Sequence, residues 1–206
     1  MLTVVTPASS SALVSLEVAK SELEIPADDT SQDEKLRRAI ARASAMIARH
    51  CNRVFAREQL RQTFRPMTSD ALLLARSPAT VTAVTSDGQP LTGEEWELDQ
   101  CLLYRLRGGC RIPWFGRVVV VDYAAGYRMP EGPQENEAPE LPLDLEQACL
   151  QLLTFLRESA GRDPMLRSLS VPEAISQSWL DPRAGAAQLP PQVAEAVAPY
   201  VRHVFA

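Results

Sequence analysis

The hydrophobic repeat changes twice along this chain, and that change limits the fold more than any motif does. Leu36, Ile40, Ala43 and Ile47 recur at helical intervals, which predicts a helix over about 31–51. Ser31-Gln32-Asp33-Glu34 just ahead of that stripe has the spacing of a capping box. From about 54 to 127 the repeat shortens to that of strands. Glu58–Phe64, Val81–Thr85, Trp96–Leu98, Leu102–Leu106 and Val118–Val121 are separated by Asp87-Gly88, Gly108-Gly109 and other turn signals. The helical repeat then returns at Leu145, Ala148, Leu152 and Phe155, predicting a helix over about 143–159. A shorter helix over about 15–24 carries Leu16, Ala19 and Leu23 and ends before Pro26. The expected class is α+β: a mainly helical bundle with an inserted antiparallel β unit over about 54–127 and an extended C-terminal arm.

Proline punctuates the rest. Residues 128–142 hold Pro130, Pro133, Pro139 and Pro142 among acidic and amide side chains, which predicts an exposed loop. Beyond Gly161 the chain reads as irregular, so the expected division is a body over 1–160 and an arm over 161–206. Pro190-Pro191 opens a last helix, and Pro199 should kink it or limit it to two turns. Val193, Val197, Tyr200, Val201, Val204 and Phe205 form an apolar stripe there. Such a stripe either folds back on its own core or anchors in a partner's groove, with aromatics as the natural anchors.

Charge and cysteine content narrow the chemistry. Twenty-one basic against 26 acidic residues give a formal charge of −5, the wrong sign for a chain whose main task is gripping phosphates. No apolar run approaches the roughly 20 residues that span a bilayer, and Met1–Pro7 has neither the basic start nor the apolar stretch of a secretory signal; a soluble, cytoplasmically made protein without membrane contact is expected. Cys51, Cys101, Cys110 and Cys149 form no Cys-x-x-Cys pair, and His50 and His203 are the only histidines. Free, mostly buried thiols are expected, with no metal or cofactor. No Gly-x-Ser-x-Gly or phosphate loop is present. On a helix His50 and Cys51 would diverge by about 100°, so no catalytic site is expected.

The densest basic stretch is Arg105, Arg107, Arg111 and Arg117, interleaved with Tyr104, Trp114 and Phe115. Arginines beside aromatics can bind single-stranded nucleic acid by charge and stacking. The competing reading is a hairpin whose aromatics pack while its arginines meet water or the acids of a neighbouring subunit.

The order of these pieces resembles the head-to-tail connector proteins of tailed phages and gene transfer agents, of the adaptor or head-completion type. The resemblance is carried by Leu16, Ala19, Lys20 and Leu23, by the stripe Leu36 to Ile47 ending in Asn52-Arg53-Val54-Phe55, and by Val84…Asp87-Gly88…Pro90-Leu91. Its most specific part is Tyr123-Ala124-Ala125-Gly126-Tyr127 followed by Pro142-Leu143-Asp144-Leu145-Glu146-Gln147-Ala148. The resemblance implies a ring, commonly of twelve subunits, seated under the portal protein at the head–tail junction of the virion and assembled in the host cytoplasm. It implies portal contact through the C-terminal stripe (Val193, Val197, Tyr200, Val201, Val204, Phe205). Arg105, Arg107, Arg111, Trp114 and Phe115 would then meet a neighbouring subunit or a tail-side component such as a stopper. DNA would pass through the lumen without specific binding, as a net anionic ring favours. Two other readings stay open: a different connector component (stopper or tail terminator), or a nucleic-acid-binding protein using the Arg105–Arg117 region.

Overall fold

The computed structural model describes residues 1–65, 68–132, 138–160, 168–171, 175–178 and 189–202. The chain divides into two compact units, each discontinuous in sequence: unit 1 is 1–11 with 54–141, and unit 2 is 12–53 with 142–206. A body over 1–160 with an arm after it does not coincide with these units.

Unit 1 is built on a five-stranded antiparallel sheet in the order β1-β2-β11-β5-β6. Its strands are β1 (Leu2–Thr6), β2 (Glu58–Phe64), β5 (Ala79–Ser86), β6 (Gln89–Leu91) and β11 (Val119–Ala125). Register sets which face is buried. Leu60 opposes Tyr123, Gln62 opposes Val121 and Phe64 opposes Val119, all facing the core, while Arg61 opposes Asp122 on the other face. That outer pair is an ion pair, with Arg61 Nε 2.6 Å from Asp122 Oδ1. Asp87 and Gly88 both adopt positive φ, +47° and +82°, the conformation a two-residue hairpin turn requires. A second sheet runs β4-β8-β7, with β9 pairing β8; these are β4 (Leu72–Leu73), β7 (Trp96–Asp99), β8 (Leu102–Arg107) and β9 (Cys110–Ile112). The short β3 (Thr68–Ser69) pairs β10 (Trp114–Phe115). One core serves both sheets, centred on Leu60, Leu103, Trp114, Val119, Val121 and Tyr123. Gln62 is buried within it and fully engaged. Its Oε1 accepts from the Tyr123 hydroxyl and from the Ala75 N–H, both at 2.9 Å, and its Nε2 donates to the Leu73 carbonyl.

Unit 2 is helical: α1 (Leu16–Glu22), α2 (Asp33–His50), α3 (Leu143–Ala160) and α4 (Pro191–Val197). A hairpin of β12 (Ser168–Val171) and β13 (Ile175–Ser178) lies between the last two. Ser15 caps α1, its hydroxyl accepting from the Val18 N–H. The stripe Leu36, Ile40, Ala43 and Ile47 of α2 is buried, as are Leu145, Ala148, Cys149 and Leu152 of α3 and Val193 and Val197 of α4. Buried polar groups are partnered here too. The Ser44 hydroxyl accepts from the Leu13 N–H at 3.0 Å, and Lys20 donates to the carbonyls of Ala27 and Asp29 while pairing with Asp33 at 2.5 Å.

Several expectations are corrected. The protein is not a mainly helical bundle: strand and helix are about equally represented, and the strands are antiparallel. The β unit is no minor insertion, because β1, from the chain's first residues, joins its sheet. β1 escapes detection since all five of its residues are exposed, so it shows no alternation. The capping box at Ser31 does not form. The α2 N-cap is Gln32, without a side-chain cap bond, and the Ser31 hydroxyl instead donates to Asp29 Oδ1 at 2.6 Å; an acidic turn residue outcompetes the helix end for it. Phe155 faces outward, 39% exposed. Within the expected exposed loop Met129 and Ala138 are buried, and Arg128 pairs with Glu140; residues 133–137 lie outside the described residues. Of the four thiols, Cys51 and Cys149 are buried, Cys101 is half-buried and Cys110 exposed. Pro199 acts as expected: α4 is two turns long and a single 3-10 turn, Ala198–Tyr200, follows.

Candidate docking surfaces

The arginine–aromatic cluster of unit 1 sits where β8, β9 and β10 meet. Antiparallel pairing brings Arg105 opposite Ile112 and Arg107 opposite Cys110. Arg105 lies over the Trp114 ring, 5.8 Å from its centroid, and Arg111 over the Tyr104 ring at 3.8 Å. Arg111 also forms a two-pronged bond with Glu97, 3.0 Å on each arm, and stands 3.8 Å from Asp99. That hydrogen bond holds the Glu97 carboxyl below its ordinary range and raises the Arg111 guanidinium above its own. Two carboxylates therefore offset the best-placed cation. Trp114 is wholly enclosed, its indole N–H donating to the Leu103 carbonyl at 2.9 Å; it is a core residue rather than a contact. Phe115 is 59% exposed, and Arg107 and Arg117 are exposed as well.

The C-terminal stripe divides. Val193 and Val197 are buried inside unit 2, where α4 packs on α3. The Tyr200 hydroxyl donates to Asp144 at 2.7 Å, and the Arg202 N–H donates to the Cys51 carbonyl at 2.9 Å. The chain as far as Arg202 is thus folded back on its own unit, leaving Tyr200 and Val201 part-exposed; Val204 and Phe205 lie outside the described residues.

Unit 2 carries a further feature, a groove of about 340 Å³ between the end of α1, α2 and the second half of α3. Leu23, Ile25, Leu36, Leu153 and Leu156 form its apolar lining. Lys35, Arg38, Arg42 and Arg157 stand around it and are exposed. The first three recur at intervals of three and four, one stripe of α2. Their spacing is visible in the sequence. What hides the groove is its apolar half, since Leu23 and Ile25 reach it from the turn after α1.

No protein-family model matches the chain, and no curated protein does. Among solved structures, it is similar to a chain in the neck of an empty gene transfer agent (GTA) particle computed with C6 symmetry. The TM-score is 0.56 at 21% identity, covering 100% of this chain and 97% of that one. The likeness is one of fold. A chain from the virion of a native GTA particle matches at TM-score 0.47 and 18% identity, over 100% of this chain and 97% of that one. Among the described residues there is no group of three His, Cys, Asp or Glu side chains able to hold a metal, and no helix is long and apolar enough to cross a membrane.

Proposed function

We propose that this protein is a structural connector of the adaptor (head-completion) type at the head–tail junction of a tailed phage or gene transfer agent, without catalytic activity. The observation that carries this reading is the end-to-end fold correspondence with a neck chain of a GTA particle. It coincides with the order of connector-like pieces in the sequence. In this reading the chain forms a ring on the portal protein, offers its other face to a stopper or similar tail-side component, and lets DNA pass. A ring of twelve is compatible with the C6 symmetry of that neck, because a twelvefold axis contains a sixfold one. Offset of Arg111 by Glu97 and Asp99 argues against the cluster as a nucleic-acid grip.

The strand-rich unit 1 favours keeping a second reading, another connector component such as a stopper or tail terminator. Electron microscopy of particles made without this gene tests the connector reading. DNA-filled heads that retain the portal but lack tails are expected; fully tailed particles would overturn it. The portal contact is assigned to the part of the C-terminal stripe beyond Val197, since Val193 and Val197 are already enclosed. Removing residues 203–206 should leave the helical circular dichroism intact and abolish portal binding in a pull-down. Retained binding would move the contact elsewhere and reopen the stopper reading.

A further inference from the structure

The basic-rimmed groove of unit 2 has a counterpart on the same unit. Leu143, first residue of α3, is 79% exposed, the most exposed large apolar side chain of unit 2 among the described residues. It is flanked by the acids Asp144 and Glu146, and the sequence ahead of it adds Glu135, Glu137 and Glu140. The groove offers the complement, an apolar lining ringed by four cations. Among the described residues Lys35 and Arg42 have no carboxylate partner, so the rim keeps charge available. Arg38 is engaged by Glu34 one turn back, and Arg157 donates to the Leu23 carbonyl.

These two features cannot meet within one chain. They occupy opposite ends of α3, Leu143 at its start and Leu153, Leu156 and Arg157 near its end. At 1.5 Å per residue the 13 residues from Leu143 to Leu156 span about 20 Å of rigid helix. A knob and a hole fixed at opposite ends of one rod pair between copies, head to tail. Repeated contacts of that kind close into a ring when the rotation allows.

We infer that the groove lined by Leu36, Leu153 and Leu156 receives the acidic, leucine-bearing start of α3, centred on Leu143, from a second copy of this chain. This deepens the ring reading given above and rests on it only for closure of the ring. Leucine burial supplies the attraction, and the exposed charges set orientation and make association fall with salt.

The test uses the full chain, by native mass spectrometry and sedimentation over a concentration series up to about 1 mM. Arg38→Glu with Arg42→Glu should weaken self-association about tenfold or more, and so should Leu143→Arg. All three positions are exposed, so unchanged circular dichroism should accompany both losses. Adding Glu146→Arg to the Arg38→Glu/Arg42→Glu variant, with Leu143 kept, restores an opposite charge across the contact and should recover part of the lost association. A photo-cross-linking residue at position 143 should attach to peptides containing residues 23–42 or 153–157 of another copy. Cross-links elsewhere, oligomers indifferent to both sets of substitutions, or a chain that stays monomeric throughout would each overturn the inference. The gene-deletion experiment separates this from the connector reading: tailless heads with groove-independent oligomers would sink the groove alone, and tailed particles would sink the connector.

Discussion

Unit 1 and unit 2 solve the same problem, burying apolar surface in a discontinuous stretch of chain, by different means. Unit 2 does it with helix stripes, and its buried polar side chains tie helices to flanking chain: Ser44 accepts from the Leu13 N–H and touches the Cys149 thiol, and Lys20 ties down the turn that follows α1. Unit 1 does it with strand register, and its buried Gln62 joins three partners on two segments, Leu73 and Ala75 on one and Tyr123 on β11. Each unit is accordingly vulnerable in a different place. A helix face tolerates local loss, whereas a sheet core depends on backbone approaches and cross-strand bonds that hold only in one register.

The sharpest way to break this contrast is Gly126→Ala. Gly126 has φ +113°, and a Cβ there would lie 2.4 Å from the Ala56 carbonyl oxygen and 2.7 Å from that of Phe55. Both neighbours are backbone and cannot turn aside, so a loss of about 3 kcal/mol or more is expected. Urea unfolding followed by tryptophan fluorescence in a Trp179→Phe background reads it, since Trp96 and Trp114 belong to unit 1 and the third tryptophan, Trp179, to unit 2. Helical circular dichroism lost at the same urea concentration would mean the two units unfold as one.

Next in size is a matched pair. Gln62→Leu removes three bonds, to the Tyr123 hydroxyl, the Ala75 N–H and the Leu73 carbonyl, and should cost about 3 kcal/mol; Ser44→Ala removes the bond from the Leu13 N–H and the weak contact with the Cys149 thiol and should cost about 1–2 kcal/mol. Equal costs in chemical denaturation would contradict the picture of a three-partner hub in unit 1 against a lighter tie in unit 2.

A smaller, kinetic difference concerns thiols. Burial pushes the Cys149 thiol up to about 12 and the Cys51 thiol up to about 11, so at pH 8 their thiolate fractions are on the order of 10⁻⁴ and 10⁻³. Iodoacetamide should label exposed Cys110 first, half-buried Cys101 next, and the two thiols of unit 2 only on unfolding. Mass spectrometry of the native protein checks this; early modification of Cys149 would show that unit 2 opens readily.

The smallest effect is electrostatic. Glu97 should titrate below its ordinary value of 4.5 because Arg111 bonds its carboxylate, and Arg111→Gln should bring the midpoint back up in a carboxyl NMR titration. The sign follows from linkage: a depressed carboxyl favours the fold above its unfolded pKa, and that contribution fades as pH falls through the folded value. An unmoved midpoint would show that the pair does not persist in solution.

The contrast between units also explains what could be seen in advance. α2 and β2 are legible almost to the residue, because Leu36 to Ile47 keeps a helical repeat and Glu58–Phe64 keeps its polar alternation. β1 is not, since an edge strand with both faces in solvent leaves no pattern, and the sequence understates the share of sheet with it. Ser31 misleads because a nearby Asp29 competes for its hydroxyl. The aromatic cluster is visible in the sequence, but sequence alone does not distinguish enclosed Trp114 from exposed Phe115, adjacent residues that a strand sends to opposite faces. The groove stays hidden because its lining comes from three separate segments.

The place of β11 has a consequence for how the chain is made. It lies between β2 and β5 in the sheet yet follows both in sequence. A nascent chain that has emerged only as far as residue 118 can hold a β1–β2 ribbon and a β5–β6 hairpin, but nothing joins them. The keystone arrives last, so the large sheet closes late in synthesis. Its apolar strand faces stay open to wrong partners until then.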